Sequence, residues 1–228
     1  MTGPIGAGPT RADLHVRAVR YTARHDSWRV VVEALGGSPM VGRPDEQAFA
    51  LASGCLVLRP TPDENSVTAI ELGSLRGITP VVGPDGLAIA RTVAVDPPVP
   101  AGPVSVCPLW MTADVPGASA ALQAAGLSVR LASEAGQWVD LLAPDGGLVA
   151  VHAEVPPGAT GRSHAVLAFE APDVQSLAGR FADRGLRADV VDESYGRSLR
   201  IDDPDGGAEL WVNETMTDLY GYRRGGPA

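Results

Sequence analysis

The chain of 228 residues contains no lysine, and all eighteen of its basic residues are arginine. A chain without lysine cannot form a Schiff base through a side chain, and it cannot build the phosphate-binding loop that depends on a lysine. The formal net charge of −9 disfavours nucleic acids and anionic membranes as partners. The composition therefore excludes two kinds of chemistry and disfavours two classes of partner.

Cysteine is scarce, and long apolar runs are missing. Cys55 and Cys107 are the only cysteines, and they lack the spacing of a metal or redox motif. No stretch approaches the roughly 20 apolar residues of a membrane-spanning helix. Residues 1–11 also lack the apolar segment of a secretory signal. We therefore expect two buried free thiols, a loose N-terminal tail over 1–11 and a cytoplasmic protein.

The chain does contain an internal repeat. The tripeptide Pro-Asp-Gly begins at Pro84, Pro144 and Pro204, at intervals of sixty residues. In the second half, Asp114 and Asp173 recur at a spacing of fifty-nine. Self-similarity at a fixed period indicates that one supersecondary unit is used several times.

The copy over 162–214 shows the order of the unit most clearly. Alternation from His164 to Phe169 predicts a strand, and Asp173 is suited to cap a helix that Gly185 ends. Three short strands follow, and a Pro-Asp-Gly turn joins the last two. The predicted order is β-α-β-β-β. The third unit, 104–154, repeats it, while the second unit of the first half has lost its helix.

These units predict an α+β fold built from tandem βαβββ units. Proline and glycine concentrate between the halves, which is typical of a linker. The predicted organisation is an N-terminal domain over 12–96 with a degenerate second unit, a linker over 97–103, a C-terminal domain over 104–214 with units 104–154 and 162–214, and a tail over 215–228.

Paired units of this kind, with Asp-Pro-Asp-Gly before the last strand and Glu209 three residues after the glycine, resemble the vicinal oxygen chelate superfamily. That superfamily holds glyoxalase I, bleomycin-resistance proteins and extradiol dioxygenases. The resemblance covers the second half of the chain and the first unit. It implies that the tandem βαβββ units pair into two glyoxalase-like domains with curled mixed sheets, each with its helices outside and a ligand cleft between its paired units.

The resemblance also implies metal ligands on the first and last strands of each unit. In the fourth unit these positions hold His164 and Glu209, which suit a divalent metal such as Zn, Mn, Fe or Ni. In the third unit they hold Ser105 and Val149, which do not. Arg200 should face Glu209 across the turn, so a cation would have to displace a guanidinium. We therefore expect no cofactor, with a divalent metal at His164 and Glu209 as the alternative.

Strand alternation and the correspondence between units place several side chains in the C-terminal cleft. Trp110 has the opposite parity and should lie in the core. The predicted cleft suits a flat, largely apolar or aromatic organic molecule, and we expect a monomer or homodimer. The predicted ligand-binding residues are Cys107, Leu109, Trp138, Asp140, Val149, Val151, His164, Arg200 and Trp211.

Three functional hypotheses follow. The first is a metal-independent binder of a small molecule, such as a resistance protein that sequesters an aromatic natural product. The second is a metal-dependent lyase or isomerase of glyoxalase type, with His164 and Glu209 as ligands and Glu209 as base. The third is a metal-free enzyme of natural-product metabolism, with Arg200, Glu209 or Asp140 as catalytic acid or base. Extradiol dioxygenases carry a tyrosine where this chain has Arg200, so that activity is not expected.

Overall fold

The computed structural model describes residues 13–62, 66–74, 80–84, 86–93, 97–154 and 163–225, which form an α+β fold of three helices and three sheets. None of the described helices is long and apolar enough to cross a membrane. The helices are α1 (His25–Leu35), α2 (Val115–Ala124) and α3 (Val174–Ala182). The strands are β1 (His15–Thr22), β2 (Ser38–Met40), β3 (Gln47–Ala50), β4 (Cys55–Pro60), β5 (Val67–Ser74), β6 (Val81–Val82), β7 (Ala88–Val93), β8 (Ser105–Val106), β9 (Leu109–Thr112), β10 (Ser128–Ser133), β11 (Trp138–Leu142), β12 (Leu148–Ala153), β13 (His164–Val166), β14 (Ala168–Ala171), β15 (Ala188–Glu193), β16 (Gly196–Ile201), β17 (Leu210–Glu214) and β18 (Tyr222–Arg224).

Helix α3 begins where the sequence predicts it. The Asp173 side chain accepts a hydrogen bond from the backbone N–H of Ser176 at 2.9 Å, which satisfies one of the free donors in the first turn. Val174, Leu177 and Phe181 are spaced by three and four residues and are all buried. The helix therefore packs one apolar face against the five-stranded sheet described below and leaves the other face to solvent.

The N-terminal half forms one seven-stranded sheet in the order β2-β3-β4-β1-β5-β7-β6. Strand β1 is parallel to β4, as the β-α-β-β-β order requires, and β5 of the second unit pairs with β1 in antiparallel fashion. The described residues between β5 and β7 contain the short strand β6 and no helix. Residues 75–79 and 85 of this stretch lie outside the described residues, so the predicted loss of the helix from the second unit stays a prediction.

The C-terminal half forms a six-stranded sheet, β13-β9-β12-β11-β10-β18, and a five-stranded sheet, β15-β16-β17-β14-β8. The first strand of each unit is divided, and each unit gives one part to the sheet of the other. Leu109 therefore pairs with Val166, and Val106 pairs with Phe169. Pro108, which has no N–H to donate to a ladder, stands at the break between β8 and β9. The two units are thus related by a pseudo-twofold axis at this break.

The last described residues contribute to the C-terminal half. Thr215 donates its N–H to the carbonyl of Ala171 at 2.8 Å, and β18 then pairs with β10 at the edge of the six-stranded sheet. The segment that the sequence assigned to a tail therefore runs from one C-terminal sheet to the other.

One hydrophobic core runs through both halves of the chain. It includes Trp28 of α1 and Phe181 of α3. It also includes Trp110, which is fully buried as predicted. Complete burial of a large apolar side chain stabilises a fold by about 1.5–3 kcal/mol. The Pro144 turn docks on β1, where the carbonyl of Gly146 accepts from Val16 at 2.9 Å. The two halves are therefore packed together.

Candidate functional site

The two C-terminal sheets enclose an apolar cluster at the pseudo-twofold axis, which we call the cleft cluster. It consists of buried side chains from both units, joined at its edge by the partly buried Met111, Trp138 and Val166. The predicted residues Cys107, Leu109 and Trp138 belong to it. Its buried members are Cys107, Leu109, Leu148, Ala150 and Ala168. The structure therefore brings these three side chains together.

Val149 and Val151 do not line the cleft, and that prediction is wrong. Both side chains are fully buried in the main core, on the opposite face of β12 from the cleft cluster. The reason is one extra residue in the fourth unit. Leu141 pairs with Val149, whereas its counterpart Ile201 pairs with Leu210, so Val149 corresponds to Leu210 and not to Glu209.

His152 lies on the other face of the same strand. It pairs with Trp138 across β11 and β12, which places it on the face of the cleft cluster and opposite to Val149 and Val151. The two rings meet edge to face, with 5.6 Å between their centroids. His164 pairs with Met111 across β13 and β9, two residues before Val166 of the cleft cluster, so it lies on the same face of the sheet as that cluster.

Asp140 lies on the cleft face of β11 and takes part in an ion-pair bridge between the two sheets. The guanidinium of Arg130 donates to both oxygens of Asp140 at 2.9 Å and to Glu170 of β14 at 2.5 and 2.7 Å. Asp140 is almost completely buried, while the Arg130 side chain keeps 26% of its exposure. The bridge holds the sheets together and occupies a polar side of the cleft.

Sequence reasoning missed Arg130 and Glu170, although strand alternation offered a signal for Glu170. Glu170 stands six residues after His164 and therefore shares its parity. Arg130 lies at an irregularity in the pairing of β10 with β11, between Val129 and Leu131. A bulge of this kind re-aims a side chain that plain alternation cannot place.

The thiol of Cys107 is unsuited to nucleophilic chemistry. It is buried, and burial raises its pKa well above the ordinary value. The nearby carboxylates of Asp140 and Glu170 raise the pKa further. A thiol held in its protonated form is a poor nucleophile and a poor metal ligand, so Cys107 serves as an apolar wall residue.

The second wall of the cleft carries Arg200 and Trp211. The guanidinium carbon of Arg200 lies 4.4 Å from the centroid of the Trp211 ring, a cation–π arrangement. One terminal nitrogen of Arg200 pairs with Glu193, and the other lies 3.7 Å from Glu209. The Nε of Arg200 is buried and has no hydrogen-bond partner. The wall therefore offers an aromatic face beside a partly desolvated cation.

The predicted facing of Arg200 and Glu209 needs a correction of register. Arg200 pairs with Trp211, because the turn before β17 is longer than the sequence suggested, and Glu209 precedes the strand. The Glu209 side chain keeps 40% of its exposure and also lies 3.8 Å from Arg187. Glu209 still lies near Arg200, but it stands two residues before Trp211, which is the residue that pairs with Arg200.

The sequence offered two donors for a divalent metal, and the structure gives one of them competing cationic neighbours. His164 belongs to the six-stranded sheet, while Glu209 lies beside the five-stranded sheet between two guanidinium groups. Among the described residues, no group of three His, Cys, Asp or Glu side chains is placed to hold a metal ion. A divalent metal at His164 and Glu209 would need further ligands and would have to compete with Arg187 and Arg200.

The seven-stranded sheet carries a denser charged cluster that the sequence did not reveal. Glu46 accepts from Arg17 at 2.6 Å and from Arg59 at 2.9 Å, and Arg59 also donates to Glu71 at 2.5 Å. Thr92 donates to Glu71 at 2.9 Å. The Arg17 and Glu46 side chains are completely buried. We call these five residues the N-terminal charge cluster.

Two polar atoms on this sheet lack hydrogen-bond partners. They are the Nη1 of Arg17 and the Nε2 of His15, and both are buried. His15 lies over Gly73, where a side-chain carbon would stand 2.4 Å from its Nε2. Burial, and then the positive charge of Arg17, lower the pKa of His15 from 6.5 to about 4.

The lowered pKa of His15 predicts an acid-sensitive fold. Between pH 6.5 and about 4 the unfolded chain binds a proton at His15 and the folded chain does not, so stability falls as the pH falls through this window. The loss should reach about 3 kcal/mol at the lower end. Denaturant unfolding at steps of pH should show a flatter dependence for His15→Gln. An unchanged dependence in this variant would contradict the assignment.

Comparison with known proteins gives similarity in structure only. No protein-family model matches the chain, and no curated protein sequence matches it. A variant of homoprotocatechuate 2,3-dioxygenase from B. fuscum, solved in complex with HPCA, is similar with a TM-score of 0.55 and 14% sequence identity. The match covers 90% of this chain and 71% of that one.

Two further solved structures are similar over most of the chain. A mutant of 4-hydroxymandelate synthase from Streptomyces coelicolor is 14% identical, with a TM-score of 0.53 and coverage of 92% of this chain and 95% of that one. A xylose isomerase-like TIM barrel/4-hydroxyphenylpyruvate dioxygenase fusion protein is 9% identical, with a TM-score of 0.53 and coverage of 94% and 51%. The chain therefore has the fold of the vicinal oxygen chelate superfamily.

Proposed function

We propose that the chain binds a small, planar, largely apolar organic molecule in the C-terminal cleft, without a catalytic metal. The observation that carries this proposal is the cleft cluster, whose buried members form an apolar floor while Met111, Trp138 and Val166 stay partly exposed at its edge. An apolar surface with aromatic side chains and a few polar groups is typical of ligand sites. Burial and stacking would supply most of the affinity.

The polar groups around this floor would orient the ligand. Arg200 lies on the face of Trp211, and its buried Nε–H has no acceptor. A ligand oxygen at that N–H would gain a charge-assisted hydrogen bond and remove the cost of an unpaired buried donor. We therefore favour a planar molecule with an oxygen at one edge. Sequestration of an aromatic natural product, as in a bleomycin-resistance protein, is the role that we propose.

A metal-free enzyme of natural-product metabolism is the second candidate. The close approach of Glu209 to Arg200, at 3.7 Å, favours it because a carboxylate and a guanidinium at a ligand site can act as an acid–base pair. A glyoxalase-type lyase has less support, since Glu209 lies near the guanidinium groups of both Arg187 and Arg200. Mass spectrometry of the recovered ligand separates the candidates: unchanged ligand supports sequestration, and a product that Glu209→Gln abolishes supports the enzyme.

Tryptophan fluorescence tests binding, because Trp138 and Trp211 are partly exposed whereas Trp28 and Trp110 are fully buried. A panel of planar aromatic acids, amides and phenols should contain members that quench the emission. Trp138→Phe should remove a large part of that quenching. No response from any member at about 1 mM would contradict the proposal, since such a Kd corresponds to only about 4 kcal/mol of binding.

Arg200 provides a sharper version of the test. We expect Arg200→Gln to weaken binding of ligands with an edge oxygen by about tenfold, and ligands without one to be unaffected. The matched control is Arg187→Gln, because Arg187 also lies near Glu209 but its side chain keeps 63% of its exposure. Equal effects of the two substitutions would show that Arg200 does not orient the ligand.

A further inference from the structure

Four side chains lie in one row across neighbouring strands of the six-stranded sheet. His164 pairs with Met111, Met111 pairs with His152, and His152 pairs with Trp138. Directly paired residues project from the same face of a sheet. Met111 and Trp138 both pack on the cleft cluster, so the face of the row is the cleft face. Two imidazoles therefore flank one thioether.

The spacing of the row suits a shared ligand. Neighbouring strands lie about 4.8 Å apart, so the backbone of each histidine stands one strand spacing from that of Met111. His152 has its Nδ1 at 2.7 Å from the carbonyl oxygen of Ala153. A carbonyl can only accept, so Nδ1 carries the proton and the lone pair of His152 is on Nε2. A backbone carbonyl that fixes the tautomer in this way is the usual support of a metal-binding histidine.

We propose that His152, Met111 and His164 form a binding site for a soft monovalent metal ion of the Cu(I) class. Thioether ligands select Cu(I), and imidazole is compatible with copper, whereas the row holds no carboxylate for a hard divalent ion. The ring of Trp138, which contacts His152, adds an aromatic surface that favours a cation. The site keeps His164 as a ligand but gives it Met111 and His152 as partners in place of Glu209.

The two thiols do not compete for such an ion in the folded protein. Both cysteines are buried, and burial raises the pKa of Cys55 to about 12 and that of Cys107 well above its ordinary value. The thiolate is the form that binds metal. Metal bound by the folded chain at neutral pH is therefore expected at the row and not at a cysteine.

The test is a competition titration of the untagged protein with Cu(I) under anaerobic, reducing conditions, with bicinchoninate as the competing chelator. We expect one equivalent of Cu(I) to transfer to the protein, and the methyl NMR signal of Met111 to shift. Met111→Leu and His164→Gln should each lower the affinity by about tenfold or more. The leucine substitution conserves volume, so the fold should tolerate it.

Met40→Leu is the matched control, because Met40 is also partly buried but packs on the seven-stranded sheet. It should leave the affinity unchanged. The proposal fails if the wild-type protein takes no Cu(I) from the chelator, if Met111→Leu binds as tightly as the wild type, or if Met40→Leu weakens binding equally. The metal titration contains no organic ligand, so its failure leaves the proposed binding function standing, and the converse also holds.

Discussion

Replacing Glu46 by glutamine is expected to lower the free energy of unfolding by about 3–5 kcal/mol. The Glu46 side chain is completely buried and accepts from Arg17 at 2.6 Å and from Arg59 at 2.9 Å. With glutamine in its place, two buried guanidinium groups share the single carboxylate of Glu71. An uncompensated buried charge is far more costly than the loss of one hydrogen bond, and this difference sets the magnitude.

The neighbouring residue in the chain provides a matched control. Asp45 pairs with Arg43 at 3.3 Å, but both side chains are about half exposed, at 58% and 49%. An exposed pair contributes only about 0–1 kcal/mol, so Asp45→Asn should behave nearly as the wild type. Urea or guanidinium unfolding at pH 7 measures both variants. Similar stabilities for the two variants would show that the N-terminal charge cluster does not stabilise the fold.

Acid sensitivity is a second readout of the same cluster. Burial opposes the charged form of Glu46, but hydrogen bonds from Arg17, Arg43 and Arg59 outweigh it and hold the pKa of Glu46 below 4.5. Such a group stabilises the fold above the ordinary glutamate pKa, and this contribution is lost as the pH falls through the lowered value. Glu46→Gln should therefore lose less stability than the wild type when the pH is lowered below 4.5.

Local signals were enough to predict most of the fold. The cap at Asp173, the break after Gly185 and the Pro-Asp-Gly turns each act within a few residues, and their repetition at a fixed period predicted two β-α-β-β-β units. The core position of Trp110 followed from strand alternation in the same way. Such patterns are readable because each rests on local backbone geometry.

The misplaced cleft residues show where local signals end. The fourth unit has one extra residue between the Pro204 turn and β17, so Val149 of the third unit corresponds to Leu210 and not to Glu209. A shift of one residue moves a side chain to the other face of the sheet. The tripeptide is the same in both units, so its sequence did not reveal the extra residue. The strand pairing reveals it, because Leu141 pairs with Val149 whereas Ile201 pairs with Leu210.

The N-terminal charge cluster could not be predicted for a different reason. Arg17 and Glu71 are brought opposite each other by the antiparallel pairing of β1 with β5, across 54 positions of the chain. No motif or period links them, and Glu46 reaches them from the segment before β3. Buried charges of opposite sign at long separation are set by tertiary packing, which the one-dimensional pattern does not contain.

The Pro204 turn joins the C-terminal half to the N-terminal half through a buried carboxylate. Asp205 accepts from Arg20 at 2.8 Å, from the indole N–H of Trp28 at 2.9 Å and from the hydroxyl of Thr22 at 2.5 Å. Asp203 accepts from the same arginine at 2.5 Å. The side chains of Arg20, Asp203 and Asp205 are all less than one-tenth exposed. The turn that precedes Glu209 and Trp211 is therefore fixed by residues of the other half.

Asp205→Ala is accordingly expected to destabilise the protein by about 3–5 kcal/mol, because it leaves three donors buried with one acceptor fewer and removes half of the negative charge facing Arg20. The control is Asp202→Ala in the same turn, since Asp202 keeps 60% of its exposure and lies 3.5 Å from the equally exposed Arg187. That substitution should change stability by less than about 1 kcal/mol.

The two variants also differ in a signal that reports the interface directly. The indole N–H of Trp28 is bonded to Asp205 at 2.9 Å, so its hydrogen exchange should be slow in the wild type and in Asp202→Ala. In Asp205→Ala we expect that exchange to accelerate under conditions in which the protein remains folded. Ligand affinity at Trp211 should weaken in the same variant, because β17 begins at the released turn. Protected exchange together with unchanged stability in Asp205→Ala would show that the Asp205 carboxylate does not hold the two halves together.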